Sequence, residues 1–336
     1  MYILGIETSC DETATAIVQD GRIVLSNQIA SSAQEQNLYG GVVPEIASRR
    51  HIESISQMVE QALQQANLTP QQLDAVAVTF APGLIGAVLV GVNFAKGFSY
   101  SLNKPLIPVH HLRGHIAALY LQYPDLKPPF LCMVASGGHS HIVQVLDYTK
   151  FQVLGRTVDD AAGEAFDKVS RTLGLGYPGG PAVSKAAQQG NPQGYALPTP
   201  KVEGKYNVSF SGLKTAVLNV VNQAKMRGEE ICVADLAASF QWKITQILAD
   251  KLLLAAKDMQ ATKICLAGGV AANRLLRQQL EQGADKLGCR LYMPALEFCG
   301  DNAAMIASQG YYEYLSNNIA DFSLNGLASL PIDYRE

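Results

Sequence analysis

Three of the six histidines of this 336-residue chain lie within six residues, at His110, His111 and His115 in the stretch PVHHLRGHIAAL. On a helix, His111 and His115 are four residues apart and share one face, whereas His110 lies about 100° away around the axis. Paired imidazoles on one face are typical metal ligands. We therefore predict that His111 and His115 bind a metal ion and that His110 does not.

Two imidazoles need at least one further ligand, and the best candidate is Asp301 in the stretch CGDNAAM. It lies between a predicted strand and a predicted helix, where the edge of a site is expected. The alternative is an ordinary helix N-cap. A His/His/carboxylate set with open positions suits iron(II) or zinc. A zinc protease is disfavoured, because no glutamate lies between the histidines as the HExxH pattern requires.

Two turns at equivalent places in the chain carry polar or small residues, TSCDE at 8–12 and SGGHS at 136–140. Backbone N–H groups in such turns bind anions, and glycine lets a phosphate approach closely, so we predict phosphate contacts at both. The alternative is that both are plain tight turns. Asp11 and Glu12 are unusual beside an anion and indicate a metal-facing or general-base role, unless the turn is simply solvated.

A third glycine-rich segment, LAGGVAAN at residues 266–273, is predicted as a strand followed by the start of a helix, a common seat for an anion or nucleotide. It has neither the GxGxxG spacing nor the Walker lysine, so it is no evidence for a Rossmann or P-loop site. Asn273 is interpreted either as a helix cap or as a contact to a base or ribose. His139 is interpreted as a further polar group of the site, and His51 as an ordinary helix-face residue.

The elements that must position these groups follow an α/β pattern with an internal duplication. Strand, polar turn, strand and strand occur in succession twice, about 130 residues apart, which predicts two three-stranded modules with helices, two lobes and a cleft between them. Residues 190–210 are predicted to form a long loop. The predicted strands cover residues 2–7, 13–19, 22–28, 74–80, 105–109, 130–136, 141–147, 151–158, 262–268 and 289–294. The predicted helices cover residues 45–66, 162–173, 180–189, 212–226, 234–257 and 301–314, with further helices ending near 100, opening at the histidines and starting directly after Gly268.

Composition limits the possible functions. The chain is 48% hydrophobic and 16% charged, with a net charge of −3, which is typical of a globular protein and lacks the basic excess of a protein that binds nucleic acid unaided. A nucleic-acid substrate would need a local basic patch or a partner. Six dispersed cysteines without a CxxC pair indicate a reducing cytoplasm. The N-terminus has no basic signal-peptide region, and the longest apolar run, residues 84–92, is too short to span a membrane.

Eight motifs occur in order across nearly the whole chain: GIETSCDET, HHLRGH, SGGHS, GEAFDK, YPGGP, SFSGLKTA, LAGGVAANRLLR and GDNAAM. Together they resemble the bacterial TsaD (Kae/Gcp/YgjD) family of tRNA N6-adenosine threonylcarbamoyltransferases. The resemblance implies an ASKHA fold, the two-lobed architecture of actin and sugar kinases, built from duplicated RNase H-like modules. The expected lobes are residues 1–125, completed by a C-terminal helix at about 302–336, and residues 126–301.

The resemblance also implies the reaction. The threonylcarbamoyl group of threonylcarbamoyl-AMP would pass to N6 of the adenosine 3′ of the anticodon, in tRNAs that read codons beginning with A, and AMP would leave. The transfer would depend on a metal in the cleft between the lobes. One iron(II) ion (Fe2+) per subunit, with Zn2+ as the alternative, would be bound by His111, His115 and Asp301. The residues implied to contact the acyl-adenylate are Val134, Ala135, Ser136, Gly137 and Gly138.

The resemblance assigns the nucleoside part to Asp167, Gly180 and Asn273. Some family members have an acidic residue where this chain has Ser184, so a hydroxyl would replace a carboxylate–ribose contact there. The amine N6 is a weak nucleophile, and Glu12, with Asp11 beside it, is our candidate for the base that assists it.

The implied partners are tRNA, the TsaB paralogue, the TsaE ATPase and the upstream threonylcarbamoyl-AMP synthase, in the cytoplasm and without a membrane. The local basic residues that could contact tRNA, with a solvated surface as the alternative for each, are Arg49, Arg50, Lys201, Lys205 and Lys214.

Three other functions compete with this interpretation. An ASKHA small-molecule kinase or ATPase is compatible with the fold, but Mg–phosphate sites prefer carboxylates and water to imidazoles. A metalloprotease lacks its glutamate. A non-catalytic scaffold is disfavoured, because every motif with site chemistry is present in the chain.

Overall fold

The computed structural model describes residues 1–334, without the side chain of residue 34. The strands are β1 (Tyr2–Glu7), β2 (Glu12–Gln19), β3 (Ile23–Ser31), β4 (Ala75–Ala81), β5 (Leu106–His110), β6 (Phe130–Ala135), β7 (Ser140–Asp147), β8 (Lys150–Arg156), β9 (Lys263–Ala267) and β10 (Arg290–Tyr292). The helices are α1 (Ala33–Asn37), α2 (Pro44–Ala66), α3 (Ile85–Leu102), α4 (His111–Gln122), α5 (Ala162–Thr172), α6 (Gly179–Ala187), α7 (Ser211–Arg227), α8 (Val233–Asp258), α9 (Arg274–Leu287) and α10 (Ala303–Leu315).

The two sheets have the same strand order. The first is β3-β2-β1-β4-β5 and the second, read from its other edge, is β8-β7-β6-β9-β10. β4 lies parallel to β1, and β9 lies parallel to β6, so each sheet grows from its first strand in the same way. The predicted α/β class and internal duplication are confirmed. The Asp20-Gly21 hairpin is also present, with both residues in the left-handed region that a type I′ turn requires.

The chain divides into two compact units. Unit 1 comprises Met1–Pro128, Val145–Gln152 and Pro294–Glu336, and unit 2 comprises Pro129–Gln144 and Val153–Met293. The units differ from the expected lobes of 1–125 with 302–336 and of 126–301, because residues 294–301 and the tip of the β7–β8 hairpin belong to unit 1. At that tip, Tyr148 stacks on Tyr312 of α10 with ring centroids 4.0 Å apart. A sequence pattern cannot show to which unit the tip belongs, because the pattern predicts the hairpin but not the surface against which the tip packs.

Two corrections concern helix boundaries. The helix expected directly after Gly268 begins later, because Gly269–Ala272 form a 3-10 turn and α9 starts at Arg274. The C-terminal helix expected at about 302–336 ends at Leu315, and residues 316–334 contain no further helix. The long loop at residues 190–210 is confirmed, with a single β-bridge from Val208 to Thr157.

Close packing of α10 positions the site in unit 1. A Cβ on Gly5 of β1 would lie 2.3 Å from the carbonyl oxygen of Ala303, so the first turn of α10 sits directly on β1. A Cβ on Gly114 of α4 would lie 2.6 Å from Cδ1 of Ile306, so α4 also packs closely against α10. The N-terminal ends of α4 and α10 and the end of β1 therefore meet at one place.

One helix in the described part of the chain, α3, has the length and apolar composition of a membrane span, a property that core helices of soluble proteins also have. All six cysteines are free thiols, and three of them, Cys132, Cys265 and Cys299, are buried, whereas Cys232 is exposed.

Candidate functional site

The predicted division of the three histidines matches their positions. His110 is the N-cap of α4, where its Nδ1 accepts a hydrogen bond from the backbone N–H of Leu112 at 3.2 Å. Its Nε2 lies 3.1 Å from the carbonyl oxygen of Leu330, and its ring stacks on Tyr334. His110 therefore holds α4 and the C-terminal segment in place and is directed away from the other two imidazoles.

His111, His115 and Asp301 converge in unit 1. Nε2 of His111 lies 3.5 Å and Nε2 of His115 3.2 Å from Oδ1 of Asp301. One ligand atom from each of the three residues lies within 4.8 Å of the others. A metal bound at about 2.0–2.2 Å separates its N and O ligands by roughly 3.0–3.5 Å, so a small closure of these side chains would coordinate an ion.

Asp301 is not the N-cap of α10. That position belongs to Asn302, whose side-chain oxygen accepts a hydrogen bond from the backbone N–H of Met305 at 3.0 Å. The helix terminus is therefore satisfied by the neighbouring residue, and the alternative explanation for an aspartate at position 301 is removed. The Asp301 carboxylate, with 19% of its side chain exposed, is directed to the two imidazoles instead.

His115 provides the strongest sign that a ligand belongs here. Its side chain is fully buried, yet neither ring nitrogen has a hydrogen-bond partner among the described residues. Leaving a buried polar nitrogen unpaired costs about 1–3 kcal/mol. A cation between Nε2 and Asp301 would satisfy that nitrogen, so the residues present fit a metal ion with nitrogen and oxygen ligands.

Sequence reasoning missed Glu7, which is fully buried at the end of β1. Its Oε2 lies 2.9 Å from Nδ1 of His111 and accepts a hydrogen bond from Oγ1 of Thr79 at 2.6 Å. Burial raises the pKa of Glu7, but the charge of His111 and its hydrogen bond outweigh this and hold the pKa below its ordinary value. The sequence does carry one signal for Glu7, because a charged residue ends the otherwise apolar run YILGIE.

The charges in this part of unit 1 are mainly acidic. Burial opposes a charge on His111, but Glu7 and Asp301 outweigh burial and raise the pKa of His111 to about 9. Burial, and then the charges of Asp301 and Asp11, raise the pKa of Glu12 to about 9. A site that protonates a histidine and a glutamate in this way favours a bound cation, which would relieve the repulsion among the carboxylates.

The first polar turn, residues 8–12, lies beside this cluster. Asp11 is buried with its carbonyl oxygen accepting a hydrogen bond from the hydroxyl of Ser32, and Glu12 accepts one from the hydroxyl of Ser31. His51, interpreted as an ordinary helix-face residue, is instead fully buried. Its ring nitrogens lie 2.8 Å from Oγ1 of Thr13 and 3.0 Å from the carbonyl oxygen of Cys10, so it supports this turn.

The predicted adenylate residues occupy a different place, the edge of the unit 2 sheet. Val134 and Ala135 end β6, which pairs in parallel with β9, and Gly268 follows β9 at the same edge. The turn that starts at Ser136 is closed by a 2.8 Å hydrogen bond from its N–H to the carbonyl of His139, and it caps α5. A Cβ on Gly137 or Gly138 would meet nothing within 4 Å, so both border open space. The ring of His139 lies 5.6 Å from that of His141.

Two of the nucleoside candidates make helix caps. Oδ1 of Asp167 accepts a hydrogen bond from the N–H of Gly179 at 2.7 Å, at the start of α6. Asn273 is the N-cap of α9, accepting hydrogen bonds from Leu275 and Leu276. A Cβ on Gly180 would meet nothing within 4 Å, so this residue also borders open space.

Ser184 and Asn273 are joined by a residue that sequence reasoning missed, Gln241 of α8. Its side-chain oxygen accepts hydrogen bonds from Oγ of Ser184 at 2.7 Å and from Nδ2 of Asn273 at 3.0 Å. The amide of Asn273 is therefore oriented from both ends, by α9 and by Gln241. A lone glutamine within a long helix carries no sequence signal for such a role.

The basic candidates are largely neutralised by nearby carboxylates. Arg49 pairs with Glu45, Arg50 with Glu35 and Glu53, Lys205 with Asp258, and Lys214 with Asp160. Lys201 is exposed. These pairs reduce the positive field that the five residues present to a polyanion.

Comparison with known proteins identifies relatives over the whole chain. The family model TsaD, tRNA N6-adenosine threonylcarbamoyltransferase, matches residues 23–308. A tRNA N6-adenosine threonylcarbamoyltransferase of Clostridium kluyveri is 51% identical over 337 residues, covering 100% of this chain and 99% of the relative. One from Clostridium perfringens is 50% identical over 334 residues, covering 99% of this chain and 98% of the relative.

Solved structures of low sequence identity share the fold. HypF of T. kodakarensis aligns with a TM-score of 0.62 and 16% identity over 96% of this chain and 49% of HypF. Component A of the (R)-2-hydroxyglutaryl-CoA dehydratase of Acidaminococcus fermentans aligns with a TM-score of 0.53 and 16% identity over 94% of this chain and 99% of that protein. These are ASKHA-fold proteins, so the fold expected from the sequence is confirmed.

Proposed function

This chain belongs to the family of tRNA N6-adenosine threonylcarbamoyltransferases and acts in tRNA threonylcarbamoyladenosine modification, and we propose that its donor is threonylcarbamoyl-AMP. Nitrogen N6 of the adenosine 3′ of the anticodon attacks the carbamoyl carbon. The bond from that carbon to the phosphate oxygen breaks, AMP leaves, and N6 loses one proton. The acceptors are tRNAs that read codons beginning with A.

A metal site in unit 1 is the central part of the proposal, with one iron(II) ion per subunit and zinc as the alternative. His111, His115 and Asp301 would hold the ion. The observation that supports it is the fully buried imidazole of His115, whose nitrogens lack hydrogen-bond partners among the described residues beside the Asp301 carboxylate. When bound, the ion would act as a Lewis acid that stabilises charge developing on the carbamoyl and phosphate oxygens.

Glu12 is proposed as the group that accepts the proton of N6, with Asp11 beside it. Burial and the charges of Asp301 and Asp11 hold the pKa of Glu12 at about 9, so its carboxyl is mainly protonated at neutral pH in the metal-free protein. A cation bound at Asp301 cancels part of that repulsion and favours the ionised form that a base requires. Metal binding and proton acceptance would therefore be linked through Asp301.

The sheet edge of unit 2 is proposed to bind the adenylate. The acyl-phosphate part would contact Val134, Ala135, Ser136, Gly137 and Gly138. The nucleoside part would contact Asp167, Gly180, Ser184 and Asn273. Support comes from the parallel ends of β6 and β9 and from the open space beside Gly137, Gly138 and Gly180. A neutral Ser184 tied to Gln241 favours a hydroxyl contact to ribose over a carboxylate contact.

The proposed partners are those of the family: a TsaB-like paralogue, a TsaE-like ATPase and the synthase that supplies threonylcarbamoyl-AMP. Compensation of four of the five basic candidates by carboxylates supports a need for partners in tRNA binding. We propose a cytoplasmic location, which the six free thiols support.

The experiment is reconstitution with labelled threonine, bicarbonate, ATP, the three partners and a tRNA that reads an A-starting codon. The expected result is label in tRNA that nuclease digestion recovers on the adenosine 3′ of the anticodon. A matched tRNA with guanosine at that position is the control and should stay unlabelled. Absence of label from tRNA, together with phosphorylation of a sugar or cleavage of casein, would overturn the proposal in favour of a kinase or a protease.

A further inference from the structure

We propose that Glu7 is the positioning residue of the metal centre: its carboxylate accepts the Nδ1–H of His111, and this fixes the ring and its tautomer so that Nε2 is free to bind the ion. The inference rests on the metal-binding function proposed above. It concerns a side chain that neither the metal set nor the proton-transfer pair includes.

The position of Glu7 leaves its carboxylate no solvent to interact with. It is the last residue of β1, its exposed fraction is 0%, and its Oε2 lies 2.9 Å from Nδ1 of His111. An ionised carboxylate is a hydrogen-bond acceptor only, so the ring nitrogen that faces it must carry the hydrogen. The other nitrogen, Nε2, lies 3.5 Å from Oδ1 of Asp301, and once its proton is displaced its lone pair is available to the ion on that side.

Two further donors hold the carboxylate itself in place. The backbone N–H of Ser9 donates to Oε1 at 2.5 Å, and the hydroxyl of Thr79 on β4 donates to Oε2 at 2.6 Å. Oγ of Ser9 also lies 3.1 Å from Nδ1 of His111. Glu7 is thus fixed by two strands and a turn before it touches the imidazole, as a group that orients a metal ligand must be.

The requirement for a carboxylate follows from these contacts. With an amide at position 7, the NH2 group would face either the N–H of Ser9, which can only donate, or Nδ1 of His111. The first arrangement places two donors together. The second forces Nδ1 to accept, which moves the ring hydrogen to Nε2 and blocks metal binding.

The two imidazoles differ in how they are held. Nδ1 of His111 contacts the Glu7 carboxylate, whereas Nδ1 of His115 has no hydrogen-bond partner among the described residues, and its Nε2 lies near Asp301 without a hydrogen bond. His115 is buried, and its ring meets the ring of His111 edge to face with centroids 4.7 Å apart. Loss of Glu7 should therefore act first on His111.

The test compares Glu7→Gln with Thr79→Val, which removes one donor to the carboxylate but leaves the bond to His111. Cobalt(II) titrations followed by visible absorption, with elemental analysis of iron(II)- and zinc-loaded protein, measure affinity. Glu7→Gln should weaken binding about 10- to 100-fold and change the cobalt spectrum. Thr79→Val should stay within about threefold of the wild type, and Glu7→Asp should recover part of the loss.

A second readout separates this inference from the proposed function. ¹⁵N NMR of the histidine rings in metal-free protein should detect a slowly exchanging proton on Nδ1 of His111 in the wild type, and its loss in Glu7→Gln. Wild-type affinity, an unchanged cobalt spectrum and a retained Nδ1 proton in folded Glu7→Gln would overturn the role of Glu7. A wild type that binds none of the three metals, yet keeps that proton, would overturn the metal site and leave the Glu7–His111 relation standing.

Discussion

The His111, His115 and Asp301 cluster of unit 1 and the glycine-rich sheet edge of unit 2 are built in opposite ways. In unit 1, buried charged side chains face one another, and a buried imidazole has nitrogens without hydrogen-bond partners among the described residues. At the unit 2 edge, the polar side chains of Asp167, Ser184 and Asn273 are already paired with the protein, while glycines border open space.

This difference indicates which kind of ligand each region can bind. In unit 1, the proposed cation would balance the carboxylates and satisfy His115, so loss of one side chain there should change binding strongly. The sheet edge offers backbone groups and open space beside its glycines. A ligand can bind there although the nearby polar side chains already have hydrogen-bond partners. Substitutions there should have smaller effects that depend on whether a side chain fills the open space or disturbs the fold.

The largest effect is expected from His115→Ala. Removal of this ligand should lower the metal content from about one ion per chain to below about 0.1, and threonylcarbamoyl transfer by at least about a hundredfold. His110→Ala is the control from the same motif, and it should retain its metal while losing more than about 1 kcal/mol of stability, because the α4 cap and the contacts to Leu330 and Tyr334 are removed together. Equal metal loss in both variants, measured by elemental analysis, would contradict the division of the histidines.

The pH dependence of metal binding should be the next largest effect. The pKa of His111 in the metal-free protein is raised to about 9, so below that pH the ion must displace a proton from the ring. The apparent affinity should therefore rise at least about tenfold per pH unit up to about pH 9, with any proton that Glu12 releases adding to the slope, and then level off. Calorimetry in buffers of different ionisation enthalpy measures the released proton. An affinity that stays constant from pH 6 to 8 would show that His111 is not a ligand or is already neutral.

A smaller effect is expected at the sheet edge. Gly138→Val places a side chain in open space, so the KM for the donor should rise about tenfold while the thermal midpoint hardly changes. Gly268→Ala is the opposite case, because φ is +89° and the new Cβ would lie 2.4 Å from the carbonyl oxygen of Ala135. It should lower the free energy of unfolding by more than about 1 kcal/mol. If Gly138→Val folds normally and keeps the wild-type KM for the donor, the open space is not a binding surface.

The smallest effect is expected at the cap of α9. Asn273→Ala removes the acceptor for Leu275 and Leu276 and should cost about 1 kcal/mol. Asn273→Asp keeps the cap but loses the donor to Gln241, so its stability should change less, and its donor KM should rise only a few-fold. Chemical denaturation and steady-state kinetics measure the two quantities. Equal stability losses in both variants would mean that the contact to Gln241, and not the cap, is the main contribution.

The convergence of His111 and His115 could be predicted from the sequence because the information is local. Their i, i+4 spacing places both on one face of a helix, and the structure brings them together with Asp301. That they bind a metal stays a prediction. The fold followed from a repeated strand pattern. Asp301 was found by its junction position, although only the structure shows that Asn302 takes the capping role.

Residues whose role depends on burial or on distant partners could not be predicted in this way. Glu7 contacts a histidine more than 100 positions along the chain, and Gln241 joins α6 to the cap of α9. His51 has the spacing of a surface helix residue, yet it lies under the acidic turn. Such contacts arise from how elements pack, and hydrophobic periodicity does not encode which polar side chain meets which.

The most direct test of metal-dependent transfer compares the same protein with and without metal. Wild-type protein and His115→Ala are stripped of metal with a chelator, and one portion of each is reloaded with one equivalent of iron(II) or zinc. All samples then receive threonylcarbamoyl-AMP, tRNA and the partners. Labelled threonylcarbamoyl should reach tRNA only with the reloaded wild type, which should hold one ion per chain. Transfer at equal rates by chelated wild-type protein, or by His115→Ala without bound metal, would contradict this prediction.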